Sequence, residues 1–181
     1  MRPGDPETVL ITGGLGVGKT SVSIAVGDLL EAQGDAGCVV DLDWLCWAWS
    51  PTLDSAGIHR LLCDNVRAVM PRLLAGELSR VVLCRAMLNE GQVEALRAAV
   101  GLPLRVVRLT TSQAEVERRL RQRDSGETLR RHLDQLSAFA RAAEQATPDA
   151  IVIDTTKRTP EHVAAEVLAL LGWTSAQSSR R

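Results

Sequence analysis

The stretch Thr8-Val9-Leu10-Ile11-Thr12-Gly13-Gly14-Leu15-Gly16-Val17-Gly18-Lys19-Thr20 decides the fold. Its first five residues form a short apolar, β-prone run that ends in glycines, and an apolar-periodic segment follows from about Lys19 to Ala32. The order is strand, loop, helix. Inside it Gly13, Gly18, Lys19 and Thr20 fit G-x-x-x-x-G-K-[ST]. Glycines let the backbone turn back so that successive N–H groups point at phosphate oxygens, and the helix N-terminus adds its positive dipole. The expected nucleotide-binding set is Gly13, Gly14, Leu15, Gly16, Val17, Gly18, Lys19, Thr20 and Ser21, with Lys19 reaching the β- and γ-phosphates and Thr20 holding Mg²⁺. ATP or GTP is the expected ligand. Of the 21 basic residues 19 are arginine, and the lysines are Lys19 and Lys157. A compact ammonium is what a tight loop can enclose, so lysine at 19 argues against a chance motif.

Downstream the same alternation repeats. Gly34 and Gly37 punctuate, Cys38-Val39-Val40-Asp41 reads as a second strand, and a helical region spans roughly Asp54 to Ala75, with Pro71 placed to kink or divide it. Ser79 to Cys84 is a third strand, Glu90 to Val100 a helix, and Leu104 to Leu109 a fourth strand. Ser112 with Glu115 forms a capping-box pattern for a helix that stops near Asp124-Ser125-Gly126, and a further helix runs to about Ala146. Ala150 to Asp154 is a fifth strand, and Pro160 opens the last helix, to Leu171. Five short apolar strands alternating with helices predict an α/β architecture, a parallel sheet covered on both faces.

A chain of 181 residues with 45% apolar content suits one domain, expected over 1–172, with 173–181 as a flexible tail rich in serine and arginine. The net charge of −1 gives no basic field for nucleic acid, and no run approaches the roughly 20 apolar residues of a membrane span. The N-terminal residues hold no apolar core long enough for a signal peptide. Cys38, Cys46, Cys63 and Cys84 show no C-x-x-C pairing and lie apart from His59, His132 and His162, so they read as buried free thiols of a cytoplasmic protein.

What the nucleotide is used for depends on acids elsewhere. The third strand ends in Cys84-Arg85, which offers no Walker B carboxylate. The second ends in Asp41-Leu42-Asp43, two carboxylates that can face one side of the strand beside the γ-phosphate. In phosphoryl transfer to an alcohol, one acid orients Mg²⁺ and another accepts the hydroxyl proton. Asp41 is assigned chiefly to Mg²⁺ and Asp43 to the acceptor, the roles being exchangeable; the competing reading makes Asp43 the N-cap of the following tryptophan-rich segment.

With these features the chain resembles the shikimate kinase and gluconate kinase branch of the P-loop kinases, within the nucleoside monophosphate kinase fold. The resemblance rests on the Gly13–Thr20 loop, Asp41-Leu42-Asp43, Arg118-Arg119 after strand four, and Ile153-Asp154-Thr155-Thr156-Lys157-Arg158-Thr159-Pro160 after strand five. It implies a three-layer P-loop NTPase fold with strand order 2-3-1-4-5 and a short mobile lid. It further implies Arg119 stacked on adenine, Arg123 as the lid arginine reaching phosphates, Thr155 and Arg158 near the base, and Arg85 beside the acceptor. Solvated arginine-rich helix faces are the plain alternative for these arginines. The third strand is followed by Arg85-Ala86-Met87 rather than the glycine triplet of shikimate kinases, so shikimate is disfavoured.

The leading expectation is therefore phosphoryl transfer from ATP, with Mg²⁺, to a hydroxyl or phosphate of a small metabolite by a monomer or homodimer. The catalytic set is Lys19, Asp41, Asp43, Arg85 and Arg123, with Thr20 and Asp41 at the metal. The alternative is a regulatory ATPase in which the acids serve Mg²⁺ alone; a GTPase is disfavoured because no N-K-x-D follows strand four. Trp44, Trp47 and Trp49, just after the acids, either fill the core beneath the next helix or form a wall of the acceptor pocket.

Overall fold

The computed structural model describes residues 6–174. The apolar runs become five strands and the periodic segments seven helices, in the order β1 (Glu7–Gly13), α1 (Lys19–Gln33), β2 (Gly37–Asp41), α2 (Leu42–Leu45), α3 (Ser55–Ala75), β3 (Arg80–Cys84), α4 (Glu90–Val100), β4 (Leu104–Thr110), α5 (Gln113–Arg123), α6 (Gly126–Ala146), β5 (Ile151–Asp154) and α7 (Pro160–Leu171). All the strand pairings are parallel and the order across the sheet is β2-β3-β1-β4-β5, as expected.

Alternation along β1 splits its side chains between two cores. Val9 and Ile11 pack with Val22, Val26 and Leu30 of α1 and Val163, Val167 and Leu168 of α7. Leu10 faces the other way, into a core built from α3 and α4 through Leu62, Val66, Met70, Val93 and Leu96. A third, smaller cluster joins Val116 and Leu120 of α5 to Leu136 of α6, and Leu15 from the loop after β1 packs against it. The loop is thus clamped at its base by the sheet and at its tip by α5 and α6.

Helix ends follow local chemistry. Asp54, Ser112 and Thr159 cap α3, α5 and α7 by accepting from Gly57, Glu115 and His162 N–H at 2.7, 3.4 and 3.4 Å. Pro71 does not divide α3, which runs unbroken to Ala75. The lid expected between α5 and α6 is a two-residue link, Asp124–Ser125.

Trp173 is corrected from tail to core. It is 2% exposed, its backbone N–H donates to Leu168 O at 2.8 Å just after left-handed Gly172, and the guanidinium groups of Arg80 and Arg105 lie 5.2 and 5.4 Å from its ring. From Ser175 on, the expected tail falls outside the described residues. Among the described residues no helix is long and apolar enough to cross a membrane. The four cysteines are free; Cys46, Cys63 and Cys84 are buried, whereas Cys38 is only half-buried.

Candidate active site

The strand order reverses around β1, whose neighbours are β3 on one side and β4 on the other, and the carboxyl ends of strands at such a reversal open into a crevice. The glycine-rich loop lies there. Two of its glycines are required by conformation. A Cβ on Gly13, at φ 138°, would fall on the Leu109 carbonyl oxygen, and Gly18, at φ 96°, is the left-handed residue from which α1 starts.

Lys19 turns back into the loop and donates from Nζ to Gly14 O at 2.7 Å. Burial lowers its ammonium from 10.5 to about 8, against the opposing pull of the Asp43 and Cys84 groups, with Arg123 assisting the drop. Among the described residues no ion pair engages Lys19.

The paired acids are placed differently from a shared strand face. The strand ends at Asp41, which becomes the N-cap of the four-residue α2 and accepts from Asp43 N–H at 3.0 Å. The cap is therefore Asp41, not Asp43 as the competing reading had it. The other carboxylate oxygen of Asp41 accepts from the Thr20 hydroxyl at 3.2 Å. Asp43, two residues further, points instead to Arg85, with Nη1 3.0 Å from Oδ1.

Arg85 reaches that spot because the β1–β3 pairing continues past Cys84, where Arg85 N–H donates to Ile11 O at 3.2 Å. Its guanidinium also meets Leu42 O, at 3.5 Å, and the Cys46 sulfur. The Cys84 thiol is pushed up to about 11, by burial first and then by Asp41, which leaves it protonated and inert at neutral pH.

A cavity of about 470 Å³ collects Lys19, Thr20, Ser21, Asp43, Arg85 and Arg123 around one space. Ser55, Gln92 and Phe139, brought in by α3, α4 and α6, complete its walls and were not singled out in the sequence. Phe139 is the chain's single phenylalanine, the only signal that could have marked it. Arg123 is held by its neighbour, donating from Nε and Nη2 to Asp124 at 2.8 and 3.0 Å, and His132 Nδ1 lies 2.6 Å from the same carboxylate. These contacts, Arg123 foremost, hold Asp124 well below the usual carboxylate range.

A second cavity, of about 250 Å³, meets the first at Gly18 and Ser21 and contains Arg119, Thr155, Arg158 and Pro160. Arg119 ties its walls together, donating to Val17 O at 3.2 Å, Thr155 Oγ1 at 3.2 Å and Thr155 O at 2.9 Å. Thr155 is 2% exposed and donates its hydroxyl to Val17 O at 3.0 Å, so it fastens the β5–α7 turn to the loop. Arg158 pairs with Glu166 at 2.6 Å. Glu115, sitting under Arg118 and Arg119, is held down at about 2 by their hydrogen bonds.

Both readings of the tryptophans are overturned. Trp44, Trp47 and Trp49 are 71%, 66% and 84% exposed, none lines the 470 Å³ cavity, and Trp44 and Trp47 stack on each other with centroids 4.9 Å apart.

The oxygens of Thr20 and Asp41 suit Mg²⁺, which takes one or two carboxylates, a hydroxyl and the phosphates of its nucleotide rather than an all-protein cage. Among the described residues no group of three or more His, Cys, Asp and Glu side chains could hold a metal ion.

No protein-family model matches this chain, and no curated protein matches it in sequence. Solved structures do match. A sugar kinase from Janibacter sp. HTCC2649, unliganded, aligns over 97% of this chain and 99% of its own, with a TM-score of 0.66 at 19% identity. A gluconokinase from Sinorhizobium meliloti 1021 aligns over 93% of each chain, with a TM-score of 0.60 at 20% identity. A shikimate kinase from Bacteroides thetaiotaomicron aligns over 92% of this chain and 98% of its own, with a TM-score of 0.61 at 18% identity. At such identities the likeness is one of fold: this chain has the five-stranded parallel architecture of P-loop small-molecule kinases.

Proposed function

We propose that this protein is an ATP-dependent phosphotransferase that moves the γ-phosphoryl group to a hydroxyl or phosphate of a small metabolite. The observation that carries this is the single cavity in which the loop residues Lys19 and Thr20 face Asp43, Arg85 and Arg123. That cavity runs from the phosphate-binding loop out to walls from α3, α4 and α6, an extension that a site built only to hydrolyse nucleotide does not need. The smaller adjoining cavity suits the adenosine end of the donor, with Arg119 and Pro160 as its faces. Donor and acceptor then meet across Gly18 and Ser21.

The residues divide the work by position. Asp43 accepts the proton of the attacking hydroxyl, oriented by Arg85. Lys19 exchanges its bond to Gly14 O for phosphate oxygens, which restores a counter-charge to a buried ammonium. Arg123, once released from Asp124, neutralises charge on the transferring group. Thr20 and Asp41 would hold Mg²⁺, which would supply positive charge against the phosphates.

Incubation with ATP, Mg²⁺ and a panel of sugars, nucleosides, sugar acids and hydroxylated antibiotics, followed by mass spectrometry, tests the proposal. A product heavier by one phosphoryl group supports it. ATP turnover with no phosphorylated product across the panel, at a rate no panel member alters, points to the regulatory ATPase instead.

A further inference from the structure

Arg108 is anomalous. It sits in the middle of β4, between Thr12 of β1 and Val152 of β5, where alternation sends its side chain to the face opposite Val107 and Leu109. It is only partly exposed, its Nε is fully buried without a hydrogen-bond partner, and no ion pair or hydrogen bond engages its guanidinium among the described residues. The other arginines that lack ion pairs there, Arg60, Arg72, Arg131 and Arg141, are all exposed. A buried guanidinium N–H with no acceptor is costly, and a cation held half out of water on an otherwise apolar sheet face favours a ligand that supplies the missing acceptor.

The guanidinium lies on a cavity of about 290 Å³, at the small end of ligand pockets, distinct from both nucleotide-side and acceptor-side spaces. One wall is the back of the glycine-rich loop at Gly14, Leu15 and Val17. Val116, Leu136 and Ala140 make the rest apolar, while Thr110, Thr111 and Ser137 add hydroxyls near the arginine's strand end and on α6. Two cations, Arg108 and Arg141, against one acid, Glu144, leave one positive charge on the lining.

We propose that this cavity binds a small amphipathic carboxylate: a monoanionic acid group paired with Arg108 and a compact apolar body against Leu15, Val116 and Leu136. A planar carboxylate matches a guanidinium in geometry, and one charge matches the excess. None of Lys19, Thr20, Asp43 or Arg85 lines the space, so the ligand is an effector and not the phosphoryl acceptor. Because it would touch Gly14, whose carbonyl accepts from Lys19, occupancy and nucleotide binding are linked through the loop. The site stands whether or not the protein is a kinase.

The test is calorimetric titration of the full chain, without nucleotide, with benzoate and hexanoate, and with benzamide and hexanamide as uncharged matches. Saturable binding of at least one acid, its amide binding about tenfold or more weaker, supports the proposal. Arg108→Met should weaken that acid by about the same factor, and Arg60→Met, which removes an exposed cation that does not line the cavity, should not. Ala140→Leu, which fills the cavity from α6 and keeps every charge, should abolish binding and serves where Arg108→Met does not fold. Absence of binding by both acids, equal binding of acid and amide, loss through Arg60→Met, or survival in Ala140→Leu would each overturn it.

Discussion

Removing Lys19, the lysine proposed to hold the nucleotide, should make the ligand-free protein more stable. Burial holds Lys19 at about 8 where an exposed lysine stands at 10.5, a gap worth about 3 kcal/mol at 1.36 kcal/mol per tenfold change in acidity. The bond from Nζ to Gly14 O offsets about 1 kcal/mol of that. Lys19→Met keeps the length of the side chain without its charge, so a net gain of about 2 kcal/mol is expected, or about 4–8 °C in thermal midpoint for a chain of this size. The gain depends on pH in a definite direction. Below about 8 the folded and unfolded chains both carry the proton and the cost is present in full. Between about 8 and 10.5 the folded state has lost the proton and the unfolded state keeps it, so native stability climbs with pH and the advantage of the variant shrinks. Thermal unfolding of both proteins without nucleotide, followed by circular dichroism from pH 7 to pH 10, gives the answer; a variant less stable than the native protein at pH 7, or a difference that does not move with pH, would refute the reasoning.

Arg119→Ala should lose about 2–3 kcal/mol in thermal unfolding, because it cuts the bonds Arg119 donates to Val17 and Thr155, which tie the loop to the β5–α7 turn, and Arg119→Lys should not restore them since one ammonium cannot span both. Trp173→Ala should cost about 3–5 kcal/mol, whereas Trp47→Ala should cost no more than about 1 kcal/mol, the worth of its stack on Trp44; chemical denaturation distinguishes the two. Asp124→Asn should destabilise at pH 7, and the deficit should close as pH falls below the ordinary carboxylate range, because a depressed carboxylate contributes above its unfolded value and loses that contribution as it is protonated; unfolding curves across acid pH check this.

The sheet was legible because each strand is a short apolar run bounded by glycine, proline or a capping residue, and because the loop after β1 has geometry that only glycine satisfies at Gly13 and Gly18. The acids were legible as a pair, but not their placement off a shared strand face. A four-residue helix begins immediately at Asp41, so the cap and the cavity residue are set by a turn rather than by strand alternation. The tryptophans misled for the same reason. Apolar side chains beside a site suggest burial, yet α2 is too short to carry its outer face under α3, and Trp44 and Trp47 stack in solvent. Ser55, Gln92 and Phe139 enter from three helices far apart in sequence, and no local pattern signals a convergence that only packing creates. Arg108 was hidden inside what reads as an apolar strand, and its anomaly is visible only once its partners can be counted.

The central claim is that Asp43 serves an acceptor hydroxyl in a kinase site. The most direct test is ADP release by the native protein and by Asp43→Asn, each with and without the acceptor that the product screen identifies. The account predicts low basal turnover, strong stimulation by that acceptor in the native protein, and loss of about 10²–10⁴-fold of the stimulated rate in Asp43→Asn with basal turnover little changed. Stimulated turnover that Asp43→Asn leaves intact would contradict it.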